Sequence, residues 1–169
     1  MNQNKFLPPL VCGFGAAVLT IVPGIKSFSC CMIVPLAGVL SIYLDHKINK
    51  ISLPVGIKSA IWFGFMTGIF ATLFATGLDV LLTYLTHTND FVQALPQTEA
   101  VIRHYKLNAM LDQTMSMLRQ MSTDITINGF SAFYTAGILF SNFIINTIFG
   151  ILGGILGMTF INKRTKIQN

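Results

Sequence analysis

Hydrophobic positions in this chain gather into four long apolar runs, residues 7–23, 28–44, 59–85 and 130–161, separated by polar segments. About 20 consecutive apolar residues cross the hydrocarbon core of a bilayer as a helix. The third and fourth runs are long enough to cross with a tilt. The first two lie near the lower limit of length and are joined by Pro23-Gly24-Ile25-Lys26-Ser27, a turn by composition. They predict a helical hairpin whose members either stand untilted or stop short of a full crossing.

The third connection, residues 86–129, is the sizeable polar segment. His87-Thr88-Asn89-Asp90 supplies cap residues before Phe91, and Pro96-Gln97-Thr98-Glu99 offers a second helix start. From Leu107 onward, Leu107, Leu111, Thr114, Leu118, Met121 and Ile125 recur every three or four residues with polar residues between them. That spacing predicts a one-sided amphipathic helix, lying on the outer surface of the bilayer or capping the bundle. The expected architecture is all-α: one membrane domain over residues 1–169, with four transmembrane helices and an extracytoplasmic amphipathic segment.

Composition agrees with that pattern. The chain is 53% hydrophobic and 10% charged, with a mean hydropathy of +0.66, against about 25% charged residues in a soluble domain. The net charge of +5 comes from basic residues scattered between the apolar runs, which argues for orientation in a membrane and against nucleic acid. With both termini in the cytoplasm, the inside takes Lys5, Lys47, Lys50, Lys58, Lys163, Arg164 and Lys166. The outside then takes Lys26 and, in a long connection of mixed charge, Arg103, Lys106 and Arg119. This is the expected orientation, in a bacterial inner membrane.

Candidate chemistry is sparse. Asp79 interrupts an otherwise uncharged apolar run, and a carboxylate at membrane depth costs about 2.5–3.5 kcal/mol on insertion scales, so it faces protein or water. On a helix, Asp79 lies within about 20° of Gly68, 40° of Ala75 and 60° of Gly64, a stripe of small residues that lets another helix approach. The fourth run carries a similar stripe. Asn142 and Asn146 share a face with Gly150, Gly153 and Gly157, and amides there suit hydrogen bonding between helices. Either stripe fits a contact between the third and fourth runs or a homodimer. Leucine at Gly68 or Gly153 is expected to force helices apart, and leucine at Gly129 to do less harm.

Cys12, Cys30 and Cys31 form no disulfide framework. Met110, Met115, Met117 and Met121 with His104 point in several directions on a helix and suit apolar filling better than a soft metal. No nucleotide loop, zinc-protease helix or nucleophile elbow occurs. The chain is therefore expected to be no enzyme and to need no cofactor or metal.

Two apolar helices, a short basic turn, a third helix, the outer stretch LDQTMSMLRQM and a glycine-rich last helix ending in Asn162-Lys163-Arg164 resemble the small bacterial membrane proteins grouped as domain of unknown function 4199. That resemblance implies no activity or cofactor. The leading expectation is an accessory subunit that associates through its glycine-rich faces, with the lipid bilayer and a second copy or a larger membrane complex as partners. The alternative is a small transporter or channel using Asp79, with Asn142 and Asn146 lining a path. A lipid-modifying enzyme would have only His87, Asp90 and Asp79 to work with.

Overall fold

The computed structural model describes residues 5–22, 29–49, 54–104 and 109–168. The turn expected at 23–27, with Lys26, lies outside these residues, as do Lys50, Lys106 and Leu107. So do the side chains of Cys30, Arg103, His104, Met110, Leu111, Arg164 and Lys166. Among the described residues all regular structure is helical: α1 (Leu7–Thr20), α2 (Val34–Asn49, entered through a π-helical turn at Ser29–Ile33), α3 (Ile57–Thr86), α4 (Asp90–His104), α5 (Ala109–Asn128) and α6 (Ala132–Gln168).

Local chemistry explains most of these boundaries. Pro8 and Pro9 sit in the first turn of α1, where their missing N–H groups break no helical bond. Pro35 stands one residue into α2, and the turn before it widens to the π form, as a helix does where proline cannot donate four residues back. Asn89 caps α4, its Oδ1 accepting from the Val92 N–H at 2.9 Å. The helix start expected at Pro96 does not occur. Pro96 lies inside α4, which runs on to His104. Two helices end on left-handed residues: His87 (φ 53°) after α3 and Gly129 (φ 68°) after α5. Each N–H bonds a carbonyl four residues back, Thr83 and Ile125 respectively, both at 2.8 Å.

Three stretches are long and apolar enough to cross a membrane: Cys31–Ile48, Ile57–Thr86 and Ala132–Lys163. No more than 33% of any of them is buried within the protein, leaving large apolar side chains such as Phe133, Phe140 and Phe160 exposed. An outer surface of that kind is compatible with lipid as its solvent. α1, with 14 residues, is shorter than the other three.

The chain divides into two compact units, residues 1–78 with 139–169, and residues 79–138. In the first, small residues make the contacts. Cys12, Ala16, Ala37 and Ala71 form one cluster, and Ile42, Val55, Ala60 and Phe63 a second. Glycine lets backbones touch directly. A Cβ on Gly150 would lie 2.5 Å from the Gly64 carbonyl oxygen, and one on Gly68 would lie 2.5 Å from that of Asn146. On a neighbouring face of α6, Gly153 and Gly157 meet Pro35 and Val39 of α2, whose own Gly38 meets Gly150. Gly13 seats α1 on α3 at Thr67, Phe70 and Ala71, and Phe14 meets Phe74 edge to face at 5.2 Å.

In the second unit, α5 buries Met115 and Ile125, with Leu118 and Met121 half-buried. Thr114, expected on that face, is exposed, and Met115 takes its place. Arg119 of α5 pairs with Glu99 of α4 at the surface. The hydrogen bond and charge of Glu99 hold the guanidinium above its ordinary pKa. Gly129 is no neutral position. Besides its left-handed φ, a Cβ there would lie 2.8 Å from the Tyr84 carbonyl oxygen, so leucine is strained in both backbone and space.

Gly150→Ala should therefore lower stability in mild detergent by about 1–3 kcal/mol, since even one methyl overpacks the contact. Gly77, whose Cβ would meet nothing within 4 Å, should accept alanine with a gain of up to about 1 kcal/mol from helix propensity. Unfolding titrations followed by circular dichroism test the pair. Equal stability for Gly150→Ala and wild type would contradict the packing.

Candidate functional site

Polar residues from the third and fourth apolar runs are brought together on α3 and α6. Extending the four-residue step from Gly64 and Gly68 gives Thr72 and Thr76, which are 1% and 5% exposed. Asn146 donates from Nδ2 to Thr72 Oγ1 at 3.3 Å, and Asn142 donates from Nδ2 to Thr76 Oγ1 at 3.1 Å. Thr72 in turn donates its hydroxyl to the backbone carbonyls of Gly68, at 2.9 Å, and Asn142, at 3.0 Å. The result is a ladder of hydroxyls and amides joining the two helices just beyond the glycine contact. None of its groups titrates.

Asp79 belongs to the second unit. It is half-buried, and Tyr134 of α6 donates to its Oδ2 at 3.2 Å. Phe91 lies 5.5 Å from the Tyr134 ring, centroid to centroid. Ala75, expected on the contact stripe, is half-buried, and the stripe follows Thr72 and Thr76 instead. His87 turns its Nδ1 to the Thr126 carbonyl oxygen at 3.2 Å and so closes the last turn of α5. That bond gives His87 a structural place.

The sequence pattern passes over a further polar group. Asp45, one residue beyond the second apolar run, is only 3% exposed. With His46, Val55, Gly56 and Ser59 it lines a cavity of about 70 Å³, room for one or two waters at about 30 Å³ each. Beside it, Asn162 grips the chain entering α3. Its Oδ1 accepts from the Val55 N–H at 2.9 Å and its Nδ2 donates to the Val55 carbonyl at 3.0 Å. The adjacent Asp45-His46 pair, placed where the apolar run stops, is the signal that would have found this group. No cluster of three or more His, Cys, Asp or Glu side chains with the geometry to hold a metal occurs among the described residues.

No protein-family model, curated protein or solved structure matches the chain. Function must therefore be read from the geometry.

Removing the Asn162 amide leaves both polar groups of Val55 without their partner. Asn162→Ala should cost about 1–3 kcal/mol, the range for stranding buried polar groups. Asn162→Gln, one methylene longer, should recover only part of it. Chemical unfolding in detergent measures both, and an unaffected Asn162→Ala protein would show that the clamp is not needed.

Proposed function

We propose that this chain is a non-enzymatic integral membrane protein of the bacterial inner membrane, an accessory subunit whose four apolar helices lie in the bilayer. Both termini and the 47–58 connection face the cytoplasm, and residues 86–129 face outward. The observation that carries the reading is the use made of the membrane-depth polar groups. Asn142 and Asn146 bond threonines of α3, and Asp79 accepts from Tyr134, so these groups hold helices together. The layout shared with the domain of unknown function 4199 proteins belongs to the same proposal and adds no activity to it.

The mode of association differs from the one the glycine stripes suggest. Gly64, Gly68, Gly150, Gly153 and Gly157 are all buried against helices of the same chain. A partner complex or second copy must therefore meet other surfaces. α1, at about 21 Å by its 14 residues, covers only part of a hydrocarbon core about 30 Å thick, and it reads as the least deeply anchored of the four helices.

A second reading, ion or proton handling by a small transporter or channel, draws on Asp45 more than on Asn142 and Asn146. A carboxylate 3% exposed beside a small cavity is the kind of group such proteins use.

Flux measurements separate the two readings. Reconstituted vesicles carrying a pH- or ion-sensitive dye should show no flux from wild type, and Asp79→Asn should fold with equal or greater stability because it removes a costly charge while keeping an acceptor for Tyr134. A wild-type flux abolished by Asp79→Asn or Asp45→Asn would replace the accessory reading with the transporter. Topology is checked by single cysteines at Gln3, Gln97 and Gln168 in a cysteine-free background. Labelling of Gln97 from the same side as either terminal site would contradict the orientation.

A further inference from the structure

α1 and α2 pack against each other, yet an opening remains between them. Between them runs a groove of about 490 Å³, open along one side and almost entirely apolar, well within the size range of small-molecule sites. Its floor is made of small residues, Cys12, Ala16 and Ala37, all buried. Its rim includes Leu36 and Leu40, 56% and 52% exposed. Gly15 opens into it, and a Cβ there would meet no atom within 4 Å. The other contact glycines in this unit, such as Gly13, are filled to backbone contact, so this opening differs from the seams around it.

Length and polarity identify an occupant. On α1 the groove runs from Val11 to Leu19, eight helical steps or about 12 Å. On the α2 side it runs from Ile33 to Leu44, eleven steps or about 16 Å. One leaflet of hydrocarbon is about 15 Å deep, half of the whole core. One end of the groove is marked by Tyr43, whose ring is exposed. Lys47 follows one turn further along α2 and is exposed on the same stripe as Leu36, Leu40 and Tyr43. Lys5, two residues before α1, is exposed as well. A groove one leaflet deep and apolar along its course, with a phenol in its lining and an exposed lysine one helical turn beyond it, has the polarity of a phospholipid carrying a negative headgroup.

We propose that the α1–α2 groove binds an anionic phospholipid, with one acyl chain against Gly15, Ala16 and Ala37 and the phosphate held by Lys5, Lys47 and the Tyr43 hydroxyl. The inference rests on the membrane reading above but not on the accessory role. Ion flux would overturn that role and leave the groove untouched.

The test uses the full-length protein, purified in mild detergent, delipidated and titrated with phosphatidylglycerol or with phosphatidylcholine of the same chains. Binding is read by native mass spectrometry and by the rise in melting temperature. Wild type should retain one phosphatidylglycerol and prefer it to phosphatidylcholine. The Lys5→Gln, Lys47→Gln double variant should lose that preference, by about five-fold per lysine, as about 1 kcal/mol for each basic residue near an anionic surface implies. Gly15→Leu grows into open space, so it should keep the lipid-free melting temperature and lose both lipids. Leu40→Trp narrows the groove from the opposite rim and should behave alike if Gly15→Leu does not fold. Equal affinity of wild type for the two lipids, or unchanged phosphatidylglycerol binding by both groove variants, would overturn the proposal. So would a wild-type dimer that either groove variant converts to monomer, which would assign the groove to a second copy of the chain.

Discussion

The fold depends on how closely α6 approaches α2 and α3. Lipid tails are as apolar as leucine, so helices in a bilayer gain little by hiding apolar surface from one another. What remains is van der Waals contact and hydrogen bonding. Both need the backbones near each other. Gly64 and Gly68 on α3, Gly38 on α2, and Gly150, Gly153, Gly154 and Gly157 on α6 remove the side chains that would keep them apart. Two faces of one helix are used, Gly150 and Gly154 toward α3 and Gly153 and Gly157 toward α2. α6 thus serves as the common surface for two other helices.

Polar residues extend the same arrangement. Once glycines bring α3 and α6 together, Thr72 and Thr76 come within reach of Asn142 and Asn146, and four polar side chains that would each be costly in lipid become mutual partners. An Asp79 bonded by Tyr134 follows the same logic in the second unit. Placing the helices is the part these residues play in the fold.

The apolar runs were legible because a helix long enough to cross a membrane must be continuously apolar for a fixed length; α3 contains the run expected for it and α6 all but the first two residues of its own. The cap at Asn89 was legible as well, since its chemistry is local. Pairing was not. Asp79 and the glycines were visible as a stripe, but a helical projection cannot tell Ala75 from Thr72 as the continuation, nor reveal that Gly150 and Gly153, three residues apart, face different helices. Both distinctions depend on crossing geometry, which is a property of two helices. Proline favours first turns, which makes Pro96 a candidate helix start by sequence, whereas α4 accommodates it internally. Asp45 escaped notice because it stands outside the apolar run by one residue, and only the packing around it makes it buried.

The central claim is that the amides and hydroxyls within the apolar runs hold α3 to α6. A double-mutant cycle with Thr76→Val and Asn142→Ala, read by unfolding in mild detergent, tests it most directly. The account predicts a coupling of about 0.6 kcal/mol, and no more than about 1.7, the average and the maximum for hydrogen bonds between membrane helices. Effects that add to within about 0.3 kcal/mol would mean that the two side chains act independently, and would contradict the claim.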